Sequence, residues 1–243
     1  MFCSFLDASK AFDRVVHAGL FLKMLVKGTP LIFLQLIMYW YDSLCCRVRW
    51  DDQYSTWFHL HAGVRQGGVL SPVFYSIYVD DLIDILMKLN VGCHIRNTFI
   101  AALLYADDMS LISPSLRGLQ RMLNACEDFC KKWDICLNPK KSRNMYFGKR
   151  QGNLCKLELN GQQIQWTERW NYLGVDLLSG IKFNCCILEK IKKFYRASNH
   201  IFRIEGRSND LVMLRLIETR SIPILTYGKE VIYVADRDIH GDG

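Results

Sequence analysis

The sequence predicts an α+β fold, an antiparallel sheet covered by helices over residues 1–168, then a mainly helical region from 169 to 235 and a tail, 236–243. Three observations predict it. Short apolar runs of strand length stand at Phe2–Leu6 and on both sides of Asp107-Asp108 between Phe99 and Ser113. Leu116, Leu119, Met122, Leu123, Cys126, Phe129 and Trp133 recur at helical spacing, as a helix packing one face on a sheet requires. Asn160-Gly161, bracketed by Leu157 and Leu159 on one side and Ile164 on the other, is a strong hairpin turn.

In chain order, Phe2 to Leu6 reads as a buried strand that delivers Asp7 at its end. No preceding element covers it, which predicts a fragment or truncated product. Asp13 falls in a helical Lys-Ala-Phe-Asp-Arg run, so Asp7 is the functional candidate, with a helix N-cap as the plainer reading. Thr29-Pro30 reads as an N-cap with proline at the first helical position, opening a helix to about Leu44 whose apolar faces are core. Cys46, Val48 and Trp50 alternate with Arg47, Arg49 and Asp51, and Thr56, Phe58 and Leu60 follow a polar turn, so this region reads as a hairpin. Gly63, Gly67 and Gly68 then permit close backbone approach to a ligand, and Ser71-Pro72 caps a helix running to about Leu89.

That helix contains a second Tyr-x-Asp-Asp, Tyr78-Val79-Asp80-Asp81. Leu82, Ile85, Leu86 and Leu89 form its apolar stripe, so Asp80 and Asp81 are expected outward, on a helix and not at a hairpin tip. Asn138-Pro139-Lys140-Lys141-Ser142 is a basic turn before a short strand, Asn144–Gly148. Trp170–Val175 reads as another strand, and Phe183–Ile204 and Asn209–Arg220 as helices. Lys190, Lys192, Lys193, Arg196 and Arg203 make the first of these basic.

The totals allow one sizeable core: 243 residues, 50% hydrophobic and 23% charged. The net charge of +7 is uneven, with fourteen Lys or Arg against five Asp or Glu between Asn138 and Arg207, which points to a polyanion partner there. Ten cysteines without a signal peptide, a C-x-x-C pair or histidines at zinc-knuckle spacing predict reduced thiols in an intracellular protein of nucleus or cytoplasm, not a secreted one. The longest apolar segment, Pro30 to Tyr41, is too short to span a bilayer and contains Gln35, so no membrane partner is expected.

The chemistry is concentrated at Tyr105-Ala106-Asp107-Asp108. Two adjacent acids at the tip of a buried hairpin repel unless a cation sits between them, and desolvating even one carboxylate is costly without a partner. Oxygen-only ligands suit a hard ion, Mg²⁺ first and Mn²⁺ second.

Taken in order, Phe5-Leu6-Asp7-Ala8-Ser9-Lys10-Ala11-Phe12-Asp13, Val64-Arg65-Gln66-Gly67-Gly68-Val69-Leu70-Ser71-Pro72 and Tyr105-Ala106-Asp107-Asp108 resemble the polymerase palm of a reverse transcriptase, closest to those of non-LTR (LINE-like) retrotransposons. Tyr172-Leu173-Gly174 resembles the primer-grip segment, and Ser221–Gly228 a stretch following the thumb helices. The resemblance implies a palm over 1–168, a primer-grip and thumb-like region over 169–235, and fingers largely absent, since only six residues precede Asp7. It implies RNA-directed DNA polymerisation, adding dNTPs to a DNA primer on an RNA template with two metal ions.

Residue by residue, the resemblance implies that Asp7 and Asp107 bridge the metals, with Asp108 adjacent. Phe12 crowds the ribose 2′-hydroxyl, and Gln66 and Gly67 lie against template and incoming nucleotide. Arg65 is divided between phosphate contact and surface. Lys141 is the proton donor to the leaving pyrophosphate, with Lys140 its neighbouring competitor, while Lys192, Lys193 and Arg196 track the primer–template backbone. Rival readings are a noncatalytic nucleic-acid-binding retroelement remnant, a group II intron-type reverse transcriptase, and an RNA-dependent RNA polymerase, which commonly has Gly-Asp-Asp where this chain has Ala106-Asp107-Asp108.

Overall fold

The computed structural model describes residues 1–149, 154–181, 183–205 and 209–230; the expected tail, 236–243, lies outside them. The chain forms two compact units, Met1–Asn144 with Asn153–Trp166, and Met145–Gly152 with Thr167–Gly243.

The first unit opens on β1 (Phe2–Ser9), followed by α1 (His17–Val26), α2 (Leu31–Asp42) and a ribbon made of β2 (Cys45–Cys46), β3 (Arg49–Trp50), β4 (Gln53–Tyr54) and β5 (Phe58–His59). Next come α3 (Ser71–Val79), α4 (Asp81–Lys88), a small hairpin of β6 (His94–Ile95) and β7 (Thr98–Phe99), and the hairpin of β8 (Ala102–Tyr105) and β9 (Asp108–Ser113). The long α5 (Leu116–Lys132), β10 (Cys136–Leu137), the first half of β11 (Arg143–Tyr146), β12 (Leu157–Leu159) and β13 (Gln162–Trp166) follow. The main sheet has the order β12-β13-β11-β1-β9-β8, with β10 also pairing β1. The pairing is antiparallel at β1/β9, β8/β9 and β12/β13, as expected, and parallel at β11/β13.

Strand β1 is central, and its Cys3, Phe5 and Leu6 are buried, because apolar side chains emerge on both faces of a strand covered on both sides. Leu119, Met122, Leu123, Cys126 and Phe129 of α5 join Leu6, Met109 and Leu111 in one core. A Ser115 cap, its Oγ accepting from Gly118 N at 3.1 Å, starts α5. Strand β8 is the sheet's edge, so Leu103 and Tyr105 are exposed where a fully buried strand was expected.

Several boundaries differ from expectation. Pro30 is itself the cap residue of α2, because its extended ψ of 134° leaves the ring outside the first turn. Most of α2 is not core: Ile32, Leu36 and Tyr39 are exposed, and only Leu34, Ile37 and Tyr41 are buried. The helix expected from Pro72 to Leu89 is divided at Asp80, where Ile83 N reaches back only three residues to Asp80 O. Ser71 is not a cap; its hydroxyl donates to Arg65 O at 2.5 Å and so ties α3 to the preceding loop.

The second unit contains β14 (Arg169–Tyr172), β15 (Val175–Leu178) and β16 (Asn184–Cys186) in one antiparallel sheet, then α6 (Leu188–Glu205), α7 (Asp210–Leu216), a π-helical turn (Ile217–Ser221) and α8 (Ile222–Thr226). The single strand expected over Trp170–Val175 is a hairpin, turned by Leu173 at φ 47° and Gly174 at φ 75°. The helix expected from Phe183 starts five residues later, because Asn184–Cys186 extends that sheet. All ten cysteines are free thiols. Among the described residues no helix is long and apolar enough to cross a membrane.

Candidate active site

Asp7 occupies the position where β1 changes partners. It is the last β1 residue paired to β9, directly opposite Asp108, while Ala8 and Ser9 pair with Leu137 and Cys136 of β10. The strand runs two residues past Asp7, so this acid sits inside a strand and not at its end. On its other side the 138–142 turn clamps the backbone. Asn138 N donates to Asp7 O at 2.9 Å, and Asp7 N donates to Ser142 Oγ at 3.3 Å.

The β8–β9 hairpin closes through a two-residue turn, Ala106-Asp107, since Tyr105 pairs Asp108. Ala106 holds φ 51°, a left-handed conformation suited to a tight hairpin turn. Facing residues of an antiparallel pair project to the same side with β-carbons about 4.5–5.5 Å apart. Asp7 and Asp108 are therefore neighbours, and Asp107 is the adjacent exposed residue of the turn. Like charges directly opposite destabilise a ladder. Burial, then the charges of Asp107 and Asp7, push the Asp108 carboxyl above its ordinary range.

Three carboxylates at one sheet end offer the oxygen ligands that a hard divalent cation takes. Among the described residues no three His, Cys, Asp or Glu side chains already enclose a single point. Mg²⁺ sites are commonly completed by water and substrate phosphate around one or two carboxylates, and the facing pair meets that requirement.

The basic turn brings one cation here. Lys141 Nζ lies 4.0 Å from Asp7 Oδ2, and Ser9 Oγ donates to the same oxygen at 3.4 Å. Lys140, the competitor, offers its main chain: its N–H meets Asn138 Oδ1 and its carbonyl accepts from Arg143.

The glycine loop is joined to the segment after Asp7. Val64 N donates to Phe12 O at 2.7 Å, Gly63 N to Val15 O at 2.8 Å, and Gln66 Nε2 to Asp13 Oδ1 at 2.8 Å. Asp13, set aside in the sequence, thus holds the loop. Gly67 has φ 78° with open space where a β-carbon would stand, so its backbone is free for close approach. Arg65 is exposed, and its carbonyl accepts from Ser71 and Gly68. The half-buried Phe12 ring stacks on Tyr75 of α3, with centroids 5.0 Å apart and planes at 28°. Tyr75 is 1% exposed, and its hydroxyl has no hydrogen-bond partner among the described residues. Nothing in the sequence distinguished it from the other apolar positions of α3.

The second Tyr-x-Asp-Asp is a buttress. Lys27 pairs with Asp80, and the buried Lys23 ammonium lies 3.0 Å from Asp81 Oδ2 and 3.9 Å above the Trp133 ring. Asp80 and Asp81 are largely outward, as expected, yet both are engaged, Asp81 by Lys23 within α1 and Asp80 by Lys27 just past its end.

Residues 1–177 match the family described as reverse transcriptase (RNA-dependent DNA polymerase). The chain belongs to the reverse transcriptase family. It is 28% identical over 241 residues to the RNA-directed DNA polymerase from mobile element jockey of Drosophila melanogaster, covering 96% of this chain and 26% of that protein. It is 32% identical to the jockey polymerase of Drosophila funebris, over 74% of this chain and 20% of that one. It is 27% identical to the Pol polyprotein of the R2DM element, over 76% of this chain and 18% of that one. The chain thus spans about a quarter or less of these relatives, and the expected likeness to non-LTR element polymerases holds. Among solved structures, apo telomerase from Candida tropicalis superposes with TM-score 0.55 at 13% identity, over 95% of this chain and 43% of that one. Telomerase from the same organism with a fragment of telomeric RNA gives 0.53 at 16%, over 94% and 40%. The expected polymerase palm is therefore the fold of this reverse transcriptase domain.

In the second unit, the Tyr172-Leu173-Gly174 tip is braced by Tyr227, whose hydroxyl donates to Leu173 O at 3.0 Å. Beside it, Asp176 is partly buried, which alone raises a carboxyl. Hydrogen bonds from Asn171 and Arg169 and the charges of Arg169 and Lys193 hold it below its ordinary range. Lys192, Lys193 and Arg196 are exposed on α6, with Lys192 also 3.1 Å from Glu189. Lys190 departs from the expected basic face: it is buried and its ammonium donates to Tyr227 O.

Proposed function

We propose that this reverse transcriptase domain adds dNTPs to a DNA primer 3′-hydroxyl on an RNA template. The observation that carries the proposal is the facing placement of Asp7 and Asp108, with Asp107 in the adjoining turn, in a chain of this family. Asp7, Asp107 and Asp108 would hold the divalent metal. Two bound ions, Mg²⁺ or secondarily Mn²⁺, supply the positive charge that in-line phosphoryl transfer needs at its attacking and leaving oxygens.

The remaining roles belong to side chains and backbone. Lys141, beside Asp7, gives its proton to the leaving pyrophosphate oxygen. Phe12, backed by Tyr75, presents its ring to C2′ of the sugar and excludes a 2′-hydroxyl. Gln66 and Gly67 line the base and template side, and Arg65 meets phosphate. The tip at Tyr172-Leu173-Gly174 holds the primer end, and Lys192, Lys193 and Arg196 follow the duplex phosphates. Support comes from relatives named RNA-directed DNA polymerases and from a telomerase described with telomeric RNA.

Primer extension on an RNA template with Mg²⁺ and dNTPs tests the proposal. The unaltered chain is expected to extend the primer and Asp107→Asn to fall to background. Equal incorporation by both refutes the metal assignment. No incorporation by either, with RNA binding intact, favours a noncatalytic nucleic-acid-binding domain.

A further inference from the structure

Between α2 and the glycine loop stands a two-stranded ribbon that contributes nothing to the core. Cys45 and Cys46 pair with His59 and Phe58, Arg49 and Trp50 pair with Tyr54 and Gln53, and Val48 joins Ser55 through two hydrogen bonds of 2.9 Å. Facing residues of an antiparallel pair share a side, so Trp50 and Gln53 lie on one face and Arg49 and Tyr54 on the other. Arg47 joins the second face by stacking on Tyr54, and Trp57 joins it by packing against Arg47.

The second face interleaves guanidinium groups with aromatic rings. The Arg47 guanidinium carbon lies 3.9 Å from the centre of the Tyr54 ring and 4.8 Å from that of Trp57, and Arg49 stands 5.8 Å from Tyr54. Cys45 Sγ is 3.4 Å from His59 Nδ1, and the His59 and His61 rings lie 6.3 Å apart at 29°. The two nearby acids, Asp51 and Asp52, sit in the turn and are engaged by Arg49 through a carbonyl and a carboxylate. Among the described residues the Arg47 guanidinium makes no hydrogen bond or ion pair, so its face is stacked while its donor edge is free. Trp57 is 63% exposed. Flat rings interleaved with cations match a strand whose bases need stacking surfaces and whose phosphates need donors. The ribbon leads directly into the site: Ala62 bridges Val16, and the next residue, Gly63, is bonded to Val15.

We propose that this face is a platform for unpaired nucleic acid, with bases stacking on Trp57 and Tyr54 and phosphates meeting Arg47 and Arg49. It goes beyond the polymerase reading, because it involves none of the carboxylates.

Fluorescence anisotropy of the full chain tests it, using end-labelled unstructured 20-nucleotide RNA, DNA of the same sequence, and a blunt duplex. Trp57→Ala should weaken single-strand binding about 5- to 150-fold, the range for loss of one stacked base, and Arg47→Ala should weaken it and flatten its salt dependence, as loss of a phosphate contact does. Trp57→Phe should restore it, and Trp50→Ala, on the opposite face, should leave it within about twofold. A larger effect on RNA names the template as the ligand, and a larger effect on DNA names a displaced strand. Quenching of tryptophan fluorescence by the RNA should fall in Trp57→Ala and persist in Trp50→Ala, a reading independent of affinity. Equal effects from the two faces, equal weakening on the duplex, or a change confined to self-association in sedimentation would overturn the platform. Repeating the series in an Asp107→Asn background separates this outcome from failure of the polymerase proposal.

Discussion

Asp108 gains a proton more readily in the folded chain than in the unfolded one, because burial and the charges of Asp107 and Asp7 raise its pKa. Between the ordinary carboxylate pKa and that raised value, the native state binds more protons than the unfolded state, so stability falls as pH rises through this window. The metal-free chain should therefore show a melting midpoint that declines from the ordinary carboxylate range upward. Mg²⁺ at pH 7 should raise the midpoint, and Asp108→Asn should remove both the decline and most of the Mg²⁺ effect. Thermal melts with EDTA and with Mg²⁺ decide this; a slope unchanged in the variant refutes it. Tyr75 makes a second residue-scale case. Its buried hydroxyl has no partner among the described residues, so Tyr75→Phe should be neutral or stabilising, whereas Tyr75→Ala should lose about 3–5 kcal/mol in urea unfolding.

Among the elements, α1 and α4 are pinned by the Lys23–Asp81 pair, in which burial lowers the lysine pKa despite the nearby carboxylate. Asp81→Asn should destabilise by about 1–3 kcal/mol, less than a fully buried pair because Asp81 is half in water, and adding Lys23→Met should recover much of it. At the β14–β15 turn a β-carbon on Gly174 would stand 2.9 Å from the Tyr227 ring at φ 75°, so Gly174→Ala should destabilise by about 1–2 kcal/mol and expose that hairpin to hydrogen exchange. The elements legible in sequence were those whose pattern has a local cause: the β8–β9 hairpin around two acids, α5 with its Ser115 cap, and the Asn160-Gly161 turn. What escaped depends on distant partners. Apolarity in α2 could not say which side meets the core, Lys190 gave no sign that Tyr227 O would bury it, and Leu173 is a rare residue type at a positive φ.

Over the whole molecule, the positive excess lies in the second half of the chain. Affinity for an RNA–DNA duplex should therefore fall linearly in a double-logarithmic plot against salt, and Lys192→Ala, Lys193→Ala and Arg196→Ala together should flatten the slope by about 0.9 for each phosphate no longer neutralised. A slope unchanged in the triple variant would remove α6 from the interface. Strand β1 has a different consequence. Its partners β9, β10 and β11 all come a hundred or so residues later, so during synthesis at roughly 5–20 residues per second this oily segment waits several seconds with both edges open. The two carboxylate-bearing strands can therefore pair only once residues 108–113 have been made, and Asp7 faces Asp108 no earlier than that.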